Sequence, residues 1–239
     1  MSDPFRIDGP AVISFSGGRT SGYMLRRILD AHDGSLPPDV HVLFADTGKE
    51  FSATYRFVHD CSQSWEVPIH WVHRPGHFTQ LITDKKFLPN PVARFCTTEL
   101  KIKPIAAWME ARGYTEWDTV VGIRADEKKR VVTMRERGMT VPLADAGITK
   151  PDVMAFWRAS AFDLRLQPHE SNCDLCFLKG AGLRRQIIRD HPETVVWWID
   201  QERRIGGTFR SDGRYLDLVL QPDLFAASDE SLTECYCHD

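Results

Sequence analysis

The sequence lacks the features that mark a membrane-spanning or exported protein. Its 239 residues contain no uninterrupted apolar run as long as the roughly 18 residues that a bilayer span requires. The opening residues, MSDPFRIDGP, do not place a basic segment before an apolar one, as a secretory signal does. These absences favour a cytoplasmic protein without a membrane partner.

The sequence also lacks an excess of positively charged residues. The chain carries 30 lysines and arginines against 33 aspartates and glutamates, a formal net charge of −3. It therefore lacks the broad basic field that drives nonspecific binding to nucleic acids. Basic residues cluster only locally, at positions 128–130 and 184–185. A nucleic-acid partner would need such a local patch, or a second protein, to hold it.

Internal repeats, low-complexity tracts and linker-like stretches are absent from the sequence. Hydrophobic residues make up 42% and charged residues 26%, as in ordinary globular proteins. We therefore expect one domain with two parts. These are an α/β core over residues 1–140 and a C-terminal extension over residues 141–239, which carries a C-x-x-C and a C-x-C.

Apolar runs rich in β-branched residues alternate with stretches of helical periodicity. The runs are AVISFS at 11–16, HVLFA at 41–45, IHWVH at 69–73 and TVVGI at 119–123. This alternation predicts an α/β fold, a Rossmann-like, twisted and mostly parallel sheet with helices on both faces, followed by the cysteine-containing extension. Ligands of such sheets bind beyond the carboxyl ends of the strands.

The first run leads into a glycine-rich turn, SGGRTS at 16–21, and then into a helical pattern. Glycines let a backbone approach an anion closely, and a helix start offers unpaired N–H groups and the positive end of a dipole. The residues expected to contact a phosphate are Ser16, Gly17, Gly18, Arg19, Thr20 and Ser21. A tight strand-to-helix connection without a ligand explains the same residues and stays open.

Two further turns follow at the same predicted edge of the sheet. Asp46, Thr47 and Gly48 come directly after the second run, in DTGKE. GIRADEKKR includes the end of the fourth run and carries Arg124 and Arg130, whose planar guanidinium groups suit the oxygens of phosphate or sulfate. Helix capping in the first turn and a solvated charge run in the second are the alternatives.

Together and in order, seven segments resemble the PP-loop family of adenine-nucleotide α-hydrolase-like enzymes, and more closely its phosphoadenosine phosphosulfate (PAPS) reductase branch. They are SGGRTS (16–21), DTGKEFSATY (46–55), CTTELKIKPI (96–105), GIRADEKKR (122–130), PLADAGITKPDV (142–153), NCDLC (172–176) and ECYCH (234–238). The resemblance implies that ATP or PAPS, with Mg²⁺, binds at the glycine loop and near Asp46. It also implies that Lys101, Arg124 and Arg130 face the reacting anionic group. Thr20 stands where the ATP-cleaving relatives usually have aspartate, which puts the geometry of the metal in doubt.

The resemblance extends to the cysteines. In the iron–sulfur branch a cysteine pair precedes the lysine motif and a C-x-x-C follows downstream. Here Phe95 and Thr97 flank Cys96, so one cysteine of the pair is missing. By this resemblance the ligands of a 4Fe–4S cluster are Cys96, Cys173, Cys176 and a tail cysteine, Cys237 or alternatively Cys235. Zinc suits the same thiolates, and a site without metal also stays open. The tail segment ECYCH resembles the E-C-G-x-H ending of the reductases, and this register makes Cys235 the nucleophile.

Three functions follow from the resemblance. The first is an ATP pyrophosphatase that adenylates an oxygen so that sulfur can replace it, as in nucleic-acid thiolation and phosphorothioation, with a cysteine desulfurase as partner. The second is a sulfonucleotide reductase in which Cys235 attacks sulfur and a thioredoxin-type protein resolves the product. The third is a nucleotide-binding subunit without catalysis. A homo-oligomer is compatible with all three.

Overall fold

The structure, a computed structural model, describes residues 3–220 and contains a four-stranded parallel sheet. The strands are β1 (Ala11–Ser14), β2 (Val40–Ala45), β3 (Ile69–Val72) and β4 (Asp118–Val121), in the order β3-β2-β1-β4. In the register of the sheet, Ala11 lies opposite Val40 on one side and Asp118 on the other. All four strands lie where the sequence predicted them, and the Rossmann-like α/β expectation is confirmed.

Helices connect the strands and form most of the C-terminal part. They are α1 (Arg19–Ala31), α2 (Ser52–Ser64), α3 (His77–Lys85), α4 (Phe95–Thr97), α5 (Lys103–Glu110), α6 (Lys128–Glu136), α7 (Pro142–Asp145), α8 (Lys150–Ala159), α9 (Ala181–Asp190), α10 (Val195–Ile205) and α11 (Tyr215–Leu220). A π-helical turn, Thr98–Ile102, joins α4 to α5. Within residues 3–220, every helix is too short or too polar to cross a bilayer.

Both faces of the sheet are covered because successive side chains of a strand point to opposite sides. Ile13 of β1 belongs to a large buried cluster that includes residues of α1 and α2. Its neighbour Val12 belongs to a second buried cluster with Leu43 and Met109, against which Trp108 of α5 packs. The near-continuous apolar runs in the sequence therefore reflect strands that are buried on both faces.

The C-terminal helices pack against the core through aromatic side chains. Trp157 of α8 is buried, and its Nε1 donates a hydrogen bond of 2.7 Å to the carbonyl of Arg19 at the start of α1. Trp198 of α10 contacts Phe209 and Tyr215 at ring-centroid distances of 4.8 and 5.1 Å. These contacts tie α8 to the glycine loop and build a small core around α10.

His41 and His70 lie near the amino ends of β2 and β3, and their burial makes the stability of the fold depend on pH. Burial lowers the pKa of both imidazoles, and the charge of Arg112 lowers it further. The unfolded chain therefore binds more protons than the folded chain once the pH falls below about 6.5, the ordinary histidine value. We expect the free energy of unfolding, measured with urea, to fall between about pH 7.5 and about pH 5.5.

The double variant His41→Gln/His70→Gln should show a flatter pH profile than the wild type. The exposed His59 on α2 provides the matched control, and His59→Gln should leave the slope unchanged. A double variant with the wild-type slope would show that these two imidazoles are not the source of the pH dependence.

Candidate functional site

A cavity of about 1000 Å³, counting its part open to solvent, lies beyond the carboxyl ends of β1 and β4. Four parts of the chain form its wall, namely the glycine loop, the turn between β4 and α6, the start of α8, and residues 164–172. The lining residues are Ser16, Gly18, Arg19, Thr20, Gly122, Arg124, Glu127, Arg130, Lys150, Val153, Met154, Leu164, Leu166, Pro168, Glu170, Ser171 and Asn172. The position is the one that the parallel sheet predicts for a ligand.

The glycine loop turns sharply between β1 and α1. Gly17 has a φ of +74°, and a Cβ placed on it would lie 2.7 Å from Cγ2 of Thr54, so the turn requires glycine for both reasons. Gly18 caps α1 in an extended conformation. Ser21 closes the first turn, since its Oγ donates to the Gly18 carbonyl at 3.0 Å and lies 3.0 Å from Ser16 Oγ. The loop therefore presents hydroxyls and the amino end of a 13-residue helix to the cavity.

Arg19 lies on the cavity wall but does not offer an unopposed charge. Its Nε and Nη2 donate to the two carboxylate oxygens of Asp163 at 2.7 and 2.6 Å, and Nη2 also reaches the Leu166 carbonyl at 3.4 Å. This two-pronged ion pair holds residues 163–166 against the glycine loop. The sequence predicted that Arg19 lies at the site, but it carried no signal for Asp163, which is 144 residues away.

Arg124 and Arg130 reach the same cavity, as the sequence predicted. Glu127 lies between them, because it accepts a hydrogen bond from the Arg124 amide at 3.0 Å and another from Arg130 Nη1. Arg124 Nη1 also lies 3.3 Å from Thr20 Oγ1. With Arg19 and Lys150, four basic side chains line the cavity together with two acidic ones, Glu127 and Glu170, while Asp163 and Asp126 pair with Arg19 and Arg124. The guanidinium and ammonium donors suit an anionic ligand.

Asp46 and Gly48 close their own turn and do not line this cavity. Asp46 Oδ1 accepts hydrogen bonds from the Gly48 amide at 2.8 Å and from the Tyr55 hydroxyl at 2.9 Å. Thr47 is buried and donates to Glu50 Oε1 at 2.8 Å. The structure therefore separates these three predicted nucleotide-binding residues from Arg124 and Arg130.

A second, smaller cavity of about 400 Å³, counting its part open to solvent, is lined by three of the predicted metal-binding cysteines, Cys96, Cys173 and Cys176. Lys101 also lines it, together with Thr47 and Lys49. We expected Lys101 to act beside Arg124 and Arg130. The structure differs, because the π-helical turn that carries Lys101 continues directly from α4 and Cys96 and so delivers the lysine to the thiols.

The Cys96 thiol is largely buried and lies near the positive charges of Lys101 and Arg94. Burial raises the pKa of the Cys96 thiol, and the charges of Lys101 and Arg94 partly oppose this rise. Cys173 Sγ donates to Glu50 Oε1 over 3.8 Å. Burial raises the pKa of the Glu50 carboxyl, again partly offset by Lys101. A cation beside a thiol favours the thiolate, which is the form that binds metals.

The three thiols are a soft donor set of the kind that iron–sulfur clusters and zinc prefer. Within residues 3–220, however, no group of three or more histidine, cysteine, aspartate or glutamate side chains is arranged to hold a metal ion. Cys235 and Cys237 lie outside the described residues. The described part of the chain brings three thiols to one cavity but does not complete a metal site.

The NCDLC segment joins the two cavities to the turn after β2. The amide of Phe51 donates to the Asn172 carbonyl at 3.0 Å, and the amide of Asp174 donates to the Lys49 carbonyl at 2.8 Å. Lys49 and Asp174 also form an ion pair of 2.6 Å. The sequence analysis identified the cysteines of this segment but missed Asn172 and Asp174. The sequence gives no indication of their role except that both are adjacent to Cys173.

Comparison with known proteins adds three findings. The family described as the phosphoadenosine phosphosulfate reductase domain matches residues 10–138. An uncharacterized nin region protein of Escherichia phage lambda is 34% identical over 197 residues, which are 70% of this chain and 66% of the phage protein. An uncharacterized protein of Methanocaldococcus jannaschii is 30% identical over 132 residues, which are 53% of this chain and 26% of that protein. The chain thus spans less than two thirds of either relative.

Among solved structures, the U34-tRNA thiolase NcsA from Methanococcus maripaludis, described with its 4Fe–4S cluster, aligns with 94% of this chain and 77% of that chain. The TM-score is 0.45 and the sequence identity is 14%. A similarity of this size is too low to transfer properties from one protein to the other.

The loop geometry predicts the effect of Gly17→Ala on stability. The new methyl group meets both the left-handed backbone and the Thr54 side chain, so we expect the free energy of unfolding to fall by about 2 kcal/mol or more. Gly34→Ala is the matched control, because Gly34 has a φ of +88° but no atom within 4 Å of its added Cβ. The control should cost only about 1 kcal/mol. Equal losses in urea unfolding would mean that crowding against Thr54 contributes nothing.

Proposed function

The chain belongs to the phosphoadenosine phosphosulfate reductase domain family of PP-loop proteins, and on this premise we propose that it binds an adenine nucleotide in the larger cavity and uses it for sulfur chemistry. One observation carries the proposal. The glycine loop, the start of α1 and the side chains of Arg124, Arg130 and Lys150 converge on one cavity at the carboxyl edge of the sheet. This arrangement supplies what a phosphate or sulfate group needs.

We propose that the phosphates of the bound nucleotide lie against the glycine loop. Ser16 and Thr20 offer hydroxyls there, Gly18 leaves the backbone open to close approach, and the buried Ser21 holds the first turn of α1. Arg124 is held near Thr20, so its guanidinium faces the same end of the ligand. The apolar part of the cavity wall, which includes Val153 and Leu164, suits the less polar end of a nucleotide.

The first proposed reaction is cleavage of ATP between its α- and β-phosphates. An oxygen of the acceptor attacks the α-phosphorus, the bond to the bridging oxygen breaks, and pyrophosphate leaves. The acceptor is then adenylated, a persulfide sulfur displaces AMP in a second step, and a second thiol reduces the resulting disulfide to release the thiolated acceptor. Arg124 and Arg130 stabilise the negative charge that develops on the phosphates. We propose a nucleic-acid acceptor, held by a local basic patch or a partner protein, and a cysteine desulfurase as the source of sulfur.

The thiol cavity supports the sulfur-transfer part of this proposal. Residues 171–177 lie between the two cavities, since Ser171 and Asn172 line the larger and Cys173, Cys176 and Phe177 line the smaller. We propose that Cys96, Cys173 and Cys176, with Cys237 from the tail, hold a 4Fe–4S cluster, with zinc as the alternative. A bound cluster would supply sulfur-transfer chemistry next to the activated acceptor. Lys101 would balance the negative charge of the thiolates.

A second function, reduction of a sulfonucleotide such as PAPS, is favoured by the family itself. Here the Cys235 thiolate attacks the sulfur of the sulfonucleotide, the bond from sulfur to the bridging oxygen breaks, and a nucleotide leaves. A thioredoxin-type dithiol then reduces the enzyme thiosulfonate, releasing sulfite. Arg124 and Arg130 would face the sulfate in this reaction.

The two reactions give different products, so one pair of assays separates them. The full chain is incubated with ATP and Mg²⁺, and separately with PAPS and reduced thioredoxin. We expect pyrophosphate from the first mixture, whereas sulfite from the second would establish the reductase instead. Arg124→Ala and Arg130→Ala should each lower kcat/KM by about 100-fold, because each removes a charge facing the reacting group.

The matched control is Arg137→Ala. Arg137 is exposed and directly follows α6, so this variant should keep the wild-type rate. Wild-type rates in both cavity variants would contradict the assignment of this cavity. Nucleotide binding without either product would leave a binding subunit.

Iron content tests the proposed thiol site independently of activity. The wild type, purified without oxygen, should be brown and contain iron and sulfide. Cys96→Ser, Cys173→Ser and Cys176→Ser should each lose most of the absorbance and iron, because serine is a poor ligand for iron in such clusters. Cys61 lies in the core away from the cavity, so Cys61→Ala should retain both. Colourless, iron-free wild-type protein would contradict the cluster.

A further inference from the structure

Residues 171–177 are shared by the two cavities. Ser171 and Asn172 line the larger cavity, and Cys173 follows directly on the wall of the smaller one. Adjacent residues of one segment therefore face different compartments. Asn172 and Cys173 are joined by one planar peptide bond, so the two cavities are only one residue apart in the chain.

Asn172 is the residue by which this segment contacts the glycine loop. Its side chain is buried, with 3% of the residue exposed, and its Nδ2 donates a hydrogen bond to the carbonyl of Ser16. A Cβ placed on Gly18 would lie 3.4 Å from Asn172 Oδ1, so the amide also packs against the cap of α1. Asn172 thus supports the part of the loop that would receive the phosphates.

The backbone of the same segment fixes the thiol beside it. The Asn172 carbonyl accepts from the Phe51 amide at 3.0 Å, and the Cys173 carbonyl accepts from Lys179 Nζ at 2.9 Å. Lys179 is fully buried at 1% exposure. Cys173 Sγ in turn lies 3.8 Å from Glu50 Oε1. The thiol therefore has a defined position relative to the glycine loop, set by its neighbour.

We propose that Asn172 is a positioning residue that couples the two cavities, so that nucleotide in the glycine loop changes the reactivity of Cys173. This inference rests on the proposed function of the larger cavity. An anion bound to the loop recruits its N–H groups and hydroxyls and so shifts the carbonyl of Ser16. A buried amide that lost this carbonyl would be left unpaired, and the segment therefore follows the loop. Cys173 moves with it relative to Glu50.

Peptide-resolved alkylation of the full chain tests the coupling. The protein is freed of bound metal by chelation and treated with iodoacetamide, with and without saturating ATP and, separately, PAPS. In the wild type, nucleotide should change the alkylation rate of Cys173 by about five-fold or more, the lower range of allosteric coupling. Cys96 lines the same cavity on a different element, α4, so its rate reports simple shielding of the cavity. We expect the rate of Cys96 to change by less than that of Cys173.

Two variants remove the proposed link. Asn172→Asp keeps the size of the side chain but cannot donate to Ser16, and Asn172→Ala removes the group without adding charge. Asn172→Ala should still bind nucleotide, with affinity lowered by up to about ten-fold, the value of one hydrogen bond, and Asn172→Asp should bind more weakly because its carboxylate repels the phosphates. At saturation, the effect of nucleotide on Cys173 should disappear in both. Gln167→Ala, a change of an exposed residue that precedes this segment, should behave as the wild type.

The outcomes separate the coupling from the function on which it rests. Nucleotide binding is measured by calorimetry on the same samples. If the wild type binds nucleotide but the alkylation rate of Cys173 does not change, the coupling alone is overturned. A full nucleotide effect in Asn172→Asp and Asn172→Ala would also overturn it, because the link would run through other residues. Absence of nucleotide binding by the wild type would remove the proposed function and the coupling together.

Discussion

The parallel pairing of β1 with both of its neighbours is the constraint on which the site depends. Because Ala11 is in register with Val40 and with Asp118, the three strands end at the same edge of the sheet. The turn after β4 then meets the start of α1 closely, and a Cβ on Gly122 would lie 3.1 Å from the Ser21 Cα. This contact brings the glycine loop and the arginines of the second turn to one cavity.

The charged side chains around the cavity are arranged in ion pairs. Asp163 pairs with Arg19, Asp126 pairs with Arg124, and Glu127 is shared by Arg124 and Arg130. Such pairing makes it less costly to hold several guanidinium groups together in a partly buried place. It also fixes their orientation, so that a bound anion meets donors that are already in position.

The thiols form a separate compartment that is joined to the first by one segment. Residues 49–51 and 172–174 hydrogen-bond to each other, and the ion pair of Lys49 with Asp174 strengthens this junction. The proposed nucleotide activation and sulfur delivery would use neighbouring but distinct environments, one rich in cationic hydrogen-bond donors and one lined by soft ligands. Residues 171–177 lie between the two cavities, with Ser171 and Asn172 on the larger and Cys173 and Cys176 on the smaller.

The sequence by itself determined the strands, the glycine turn and the identity of the family, because apolar periodicity, glycine conformation and motif order are all local properties of the chain. Only the tertiary structure decided which charged side chains meet. It placed Lys101 with the thiols, paired Arg19 with Asp163, and bonded Asn172 to Ser16 across 156 residues. Contacts of this kind depend on how helices and loops pack above the sheet edge, and no local pattern encodes that packing.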